Sequence, residues 1–357
     1  MHPLRRGILI LGALVAPATG APPAHAQQQL GAVRGVVRST LGDRIPYAVV
    51  VLEPGYPRRF TDDSGTFAFA NLHSGTYQLR ARQVGYKPLD TTVVVTGAGA
   101  VEVTLALEHL VIQLDEIRVV ERAGRFGRCT APGPPDPATL PEFADLFGQL
   151  RQNAERYWML ADSYPAIYGM ERRHGRPDHY NHTLIVSSID TVELRTDARW
   201  NYAPGRVVTE VPAPRGGTEM QVNLPGLPDF ADTTFLMNHC FRLAGMDRME
   251  GRSYLRLDFR AAERIRYPDA DGSAYLDPNS LLIRYVTMRL THPYEAAIGL
   301  ESVEATVAFR EVVPSLVLPD SISSLEVYRI RLTVVERVEE QRAVGFHFLR
   351  ALPTRRP

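Results

Sequence analysis

The sequence predicts a mainly β protein: an N-terminal β-sandwich, then an α+β region in which a curved antiparallel sheet packs on one helix. Three observations carry that expectation. Between Val33 and Leu107, short runs alternate apolar and polar side chains, and each run is cut by Gly, Pro, Asn or Asp. Between Thr139 and Asp162 the apolar residues move to helical spacing. From Tyr180 to Phe348 the alternation returns and ends in long runs.

Residues 1–26 read as an export signal. Arg5 and Arg6 form the positive end, Ile8 to Val15 an apolar run too short to span a bilayer, and Ala24-His25-Ala26 a small-x-small cleavage site. Residues 27–121 form the predicted sandwich. Its strands are expected at Val33–Arg38, Ala48–Leu52, Arg58–Thr61, Thr66–Ala70, Gly75–Ala81, Asp90–Val95 and Val101–Leu107. Asp62-Asp63-Ser64-Gly65 is suited to a tight turn, because Asp bonds the backbone and Gly accepts positive φ. Leu110 to Glu121 reads as an edge strand running into a linker at 122–138, where Gly and Pro exclude both ladder and helix.

The second region spans 139–357. Thr139 and Glu142 have capping-box spacing around Pro141, and Phe143, Leu146, Phe147, Leu150, Ala154, Tyr157, Trp158 and Ala161 share one helical face. Strands are expected at His182–Ser187, Val192–Thr196, Arg206–Val211, Glu219–Asn223, Ser253–Phe259, Ser273–Leu276, Leu281–Leu290, Val303–Val312 and Leu325–Val338. Such strands have one apolar face to cover, and the helix is the available cover.

The order GVV…IPYAVVVLE, TDDSGTFAFANLHSGTYQLRARQVGYKP and VEVTLAL resembles the carboxypeptidase regulatory-like domain, a prealbumin-like sandwich. That family's T-D-x-x-G-x-F turn, L-x-x-G-x-Y hairpin and V-G-Y corner are present at Thr61–Phe67, Leu72–Tyr77 and Val84–Tyr86. The resemblance implies a fold and no activity. Gly272 to Pro278 (G-x-x-Y-L-D-P) resembles a turn in the half-barrel of periplasmic lipoprotein carriers. Phe235-Leu236-x-x-His239-Cys240-Phe241, with Asp271-Gly272 and Tyr275-Leu276-Asp277, resembles the second half of secreted proteins that carry the same N-terminal module.

Cys129 and Cys240 in an exported chain suggest one disulfide closing a loop of about 110 residues, worth ~4–5 kcal/mol if unstrained. Free thiols or a metal site with His239 are the alternatives. His292-Pro293-Tyr294-Glu295 has the H-x-x-E spacing of zinc carboxypeptidases, but no third ligand stands at the spacing that family uses, so a turn between strands is expected. His174, His179 and His182 flank Gly175 and Pro177 in what reads as a solvated loop, and Asp269-Ala270-Asp271-Gly272 as a hairpin turn.

The formal charge is zero, and removing Arg5 and Arg6 leaves it about −2, which gives no case for nucleic acid. No later window is long and apolar enough for a transmembrane helix, while peripheral membrane association fits the expected periplasmic or outer-membrane address. No catalytic site and no cofactor or metal is expected. The first expectation is a binding or scaffolding module for envelope proteins or glycans. The alternatives are a carrier whose apolar ligand lies on Phe143, Phe147, Tyr157 and Trp158, and a hydrolase using His292 and Glu295.

Overall fold

The protein is described by a computed structural model covering residues 30–110, 127–181, 183–198, 200–212, 218–223 and 225–354. The expected export signal and the segment from Val111 to Glu121 lie outside the described residues.

Seven strands build the first region: β1 (Gly31–Ser39), β2 (Val49–Glu53), β3 (Arg59–Phe60), β4 (Thr66–Leu72), β5 (Gly75–Arg82), β6 (Leu89–Val95) and β7 (Gly99–Leu107). One sheet has the order β4-β1-β7, with β1 and β7 parallel, and the other β3-β2-β5-β6. Val33, Val37, Val50, Leu52, Phe69, Leu79 and Leu107 fill the space between them, all fully buried. Each such side chain contributes roughly 1.5–3 kcal/mol over its exposed state.

The turn motif works through its own hydrogen bonds. Asp62 Oδ1 accepts the N–H groups of Ser64 (2.9 Å) and Thr66 (2.8 Å), and Gly65 follows at φ +74°. A Cβ on Gly65 would stand 2.9 Å from the Val37 carbonyl oxygen, so the site needs glycine twice over. The buried Thr61 hydroxyl donates to Ile45 O and accepts the Ala48 N–H.

Helix α1 runs from Pro141 to Ser163. Its N-cap is Leu140, with no side-chain cap, rather than Thr139. Proline disfavours helical geometry in the residue before it, which moves the boundary to Leu140. The Thr139 N–H is taken by the Asp136 carbonyl, inside a turn held by Asp136 Oδ1.

Beyond α1 the chain forms β8 (Ala166–Asp178), β9 (Thr183–Arg195), β10 (Val208–Pro212), β11 (Thr218–Val222), a 3-10 turn at Leu227–Ala231, α2 (Thr233–Leu236), β12 (His239–Met249), β13 (Arg252–Ala261), β14 (Ala270–Leu276), β15 (Ile283–Leu290), α3 (Pro293–Ala296), β16 (Leu300–Val313), β17 (Leu316–Ile330) and β18 (Thr333–Phe348). One antiparallel sheet has the order β12-β13-β14-β15-β16-β17-β18-β8-β9. β10 and β11 make a separate ribbon.

Four expectations are corrected here. The segment around His174 is strand, not loop, because β18 and β9 supply ladders on both sides of it. The two runs expected at His182–Ser187 and Val192–Thr196 are joined in β9; His182 itself lies outside the described residues. Leu325–Val338 is not one strand but a hairpin that turns at Arg331 (φ 57°) and Leu332, with Ile330 opposite Thr333. Asp271 and Gly272 belong to β14 rather than to a turn. β12, not anticipated, is the sheet's first edge.

The register carries a single face across the sheet. Leu257 stands beside Ala274, Ala274 beside Val286, Val286 beside Val307, and Val307 beside Ile322. Over β13–β16 this face is buried beneath Phe143, Leu146, Phe147 and Leu150 of α1 and beneath Leu227 and Phe230 of the 3-10 turn.

Candidate functional site

Cys129 and Cys240 are disulfide-bonded, across 111 residues of sequence. The bond fastens the segment before α1 to β12, and the Gly133 N–H to His239 O contact (2.9 Å) lies beside it. His239 is therefore no metal partner of a thiolate. It is fully buried, with Nδ1 2.9 Å from Phe235 O, Nε2 3.1 Å from Ala270 O, and Asp269 at 3.4 Å. Asp269 in turn accepts the Tyr202 hydroxyl.

Phe143 and Phe147 are 7% and 3% exposed and lie in the core between helix and sheet, Phe147 against Phe241 at 4.7 Å between ring centres. Tyr157 is half-buried at the margin of that core, and Trp158 is half-buried with its ring edge-on to Tyr157. His292 has left-handed geometry (φ 48°) and caps α3, and Glu295 N–H bonds its carbonyl; the pair lies in a turn between β15 and β16. His174 sits on β8 between Glu339 (3.4 Å) and Asp190 (3.5 Å), while His179 contacts Glu336 (2.6 Å) in the following turn. Among the described residues, no three His, Cys, Asp or Glu side chains gather in metal-ligating geometry.

The sheet changes character past β17. The face that is apolar over β13–β16 continues as Ser324 and Glu326, then Glu339 and Arg337, then His174 and Arg172, and ends on Ser188 and Asp190. The opposite face is polar too, with Arg173 beside Glu340 and Glu171 beside Arg342. Cross-strand pairs replace packing: Arg172 Nε donates to Asp190 at 2.7 Å, and that bond holds the Asp190 carboxyl below its usual range. β9 closes the sheet as an edge strand, and every one of its side chains is at least partly exposed. Ile185, Val186 and Ile189 are 40%, 42% and 59% exposed, and the run from Thr183 to Ile189 carries no charge.

The turn at Thr61–Phe67, the hairpin at Leu72–Tyr77 and the corner at Val84–Tyr86 all stand in one sandwich. Residues 32–108 match the carboxypeptidase regulatory-like domain family. No curated protein matches the chain. Among solved structures, a chlorocatechol 1,2-dioxygenase from Pseudomonas putida is 13% identical, with a TM-score of 0.19, over 23% of this chain and 61% of the other. The minor pilin of Streptococcus agalactiae is 19% identical, TM-score 0.21, over 23% and 46%. A putative outer membrane lipoprotein-sorting protein domain from Vibrio parahaemolyticus is 9% identical, TM-score 0.34, over 58% and 94%. The chain thus spans less than two thirds of the first two.

The regulatory-like domain is docked on α1 by residues the helical apolar pattern passed over. Gln149 and Asn153 are each 3% exposed. Gln149 Oε1 accepts the N–H of Gly85, the corner glycine, at 2.8 Å. A Cβ on Gly85 (φ +84°) would stand 2.9 Å from Ser280 O, so the V-G-Y corner also lets two backbones meet. Asn153 Nδ2 donates to Leu281 O and its Oδ1 accepts the Ile283 N–H, which fixes the turn before β15. Their signal was a polar stripe, Gln149, Asn153 and Arg156, at helical spacing beside the apolar one.

Proposed function

We propose that the protein is a non-catalytic binding or scaffolding component of the cell envelope that holds a partner protein by strand addition along β9. The carrying observation is the edge itself: a strand from Thr183 to Arg195, uncharged over its first half, with β-branched side chains in solvent and no strand on its outer side among the described residues. An edge of this length is a template for another chain, and although Ser187 bulges out of the β8 ladder, no charge blunts the run on either side of it from Thr183 to Ile189. The polar faces flanking β9 suit the rim of such an interface.

The test is photocross-linking in cells that make the protein. A cross-linking residue in place of Ile189 is expected to give a discrete adduct, and one in place of the exposed Tyr294 on α3 is not. Combining Val186→Lys with Ile189→Lys, and reading adducts from position 187, removes the adduct while leaving the fold intact. Silence along β9, or the same adducts from position 294, ends this reading.

A further inference from the structure

Between α1 and the sheet β3-β2-β5-β6 lies a small solvent-open cleft. Arg156 lines it and is 4% exposed. Its Nη1 donates to Gln83 Oε1, and its guanidinium stands over the Phe60 ring at 5.7 Å. Nε and Nη2 are buried with no acceptor among the described residues. Burial pulls the group down to about 9, the direction expected of a cation that has lost water without gaining a carboxylate.

Other arginines of this chain show what that edge ordinarily does. Arg172 uses Nε and Nη2 together on Asp190 (2.7 and 3.1 Å), and Arg195 on Asp197 (2.9 and 2.8 Å). Arg80 and Arg329 hold Asp90 and Glu301 in the same way. Those four are at least partly in water, where an unpaired fork would cost little. Arg156 is buried, where leaving donors unpaired costs most.

Two further buried orphans, Arg82 Nε and Gln152 Oε1, belong to residues that line the same cleft. The acid nearest in sequence, Glu155, is held by Arg151 (3.4 Å) and Arg82 (3.9 Å). With Arg58 and Arg80, the lining carries four arginines against Glu53 and Glu155, and Val49, Val51 and Met159 supply an apolar wall.

We propose that this cleft binds a small organic oxyanion, a carboxylate or a phosphate, gripped side-on by Arg156 Nε and Nη2, with Gln152 accepting from a hydroxyl beside the charge and the apolar wall covering the ligand's carbon skeleton. The fork matches two oxygens of either group. This surface is remote in sequence from β9 and does not rest on strand addition there.

The experiment is thermal unfolding of the full chain titrated with inorganic phosphate, with glucuronate, and with chloride at matched ionic strength. Phosphate or glucuronate is expected to raise the midpoint beyond chloride. A response to phosphate alone assigns a phosphorylated ligand, and a response to glucuronate assigns a carboxylate. Arg156→Met weakens binding at least about tenfold, the loss of one charge-assisted bond. Because a core variant can misfold, the second is Gln152→Glu, nearly isosteric and one helical turn from Arg156. It supplies the carboxylate from within, so it is expected to melt higher than wild type and to ignore added oxyanion. Equal midpoints in all three salts overturn the proposal, as does a Gln152→Glu protein that responds like wild type.

Discussion

Strands β12–β16 and strands β17, β18, β8 and β9 share one hydrogen-bonded sheet and one kind of ladder, yet different forces maintain them. In the first half, Leu257, Phe259, Val286, Met288 and Val307 are buried beneath α1 and the 3-10 turn. In the second, the same face presents Glu326, Arg337, Glu339, His174 and Asp190 at its outer end, while Ala166, Tyr168 and Met170 of β8 stay buried and α1 reaches only as far as β17, where Leu160 packs on Leu316. The two edges differ in the same sense. β12 is fastened by Cys240, whereas β9 has no strand on its outer side among the described residues. Burial sets the stability of the covered half, and the outer end of the second half relies on backbone bonds and ion pairs that are each worth ~1 kcal/mol or less. A sheet with both faces polar is a poor way to build a core and a good way to present an edge.

The largest test of this difference is to remove the fastening. Replacing Cys129 and Cys240 together by Ser is expected to lower unfolding free energy in urea by about 4–5 kcal/mol in the chain-entropy model. Hydrogen exchange should quicken along β12 well before it changes along β9. Uniform quickening over the whole sheet would mean that the halves unfold as one.

Packing comes next. Phe147→Ala should cost about 3–5 kcal/mol through the cavity it leaves, against no more than about 0.5 kcal/mol for Ile189→Ala on the bare edge. Comparable losses at the two sites would show that β9 is covered in solution.

The smallest effect is a titration within the cover. Burial pushes Asp229 up to about 7, partly offset by the bond it accepts from the Gly226 N–H. The folded protein therefore keeps a proton on this carboxyl where the unfolded chain has lost it. Its contribution is present below pH 4 and is lost as pH rises through 7, a decline of about 2–3 kcal/mol between pH 5 and 8. Asp229→Asn should flatten that part of the stability profile, read from urea midpoints at each pH. An unchanged slope would assign the dependence to another group.

Much of this architecture was legible because it obeys local rules. The strands of the regulatory-like domain agree within a residue or two, since β1 to β6 are each followed within three residues by a Gly, Pro or Asp that turns the chain. The helix and its apolar face followed from spacing alone. The failures share a cause, which is that the deciding partner was distant in sequence. The stretch around His174 reads as a loop because Gly175 and Pro177 interrupt it; its ladders and charge partners, Glu339, Arg342 and Asp190, lie on strands distant in sequence. The turn at Arg331 contains no turn-former, so alternation ran straight through it. At the helix, the apolar pattern passes over Gln149, Asn153 and Arg156; the docked domain makes Gln149 and Arg156 interior, and the turn before β15 does so for Asn153. Neither the exposed edge nor the oxyanion fork has a motif.

The strand order sets a schedule for the growing chain. β8 and β9 are synthesised long before β18, yet β18 is what joins them to the rest of the sheet. Until it arrives they are an isolated hairpin, a form that is marginal at best in water. Every strand from β13 to β17 can zip onto its predecessor as it emerges, whereas this hairpin must wait for a closure that spans most of the second region. A ribosome stalled before Thr333 would leave a molecule with a finished core and a loose β9, able to pair with whatever strand comes near.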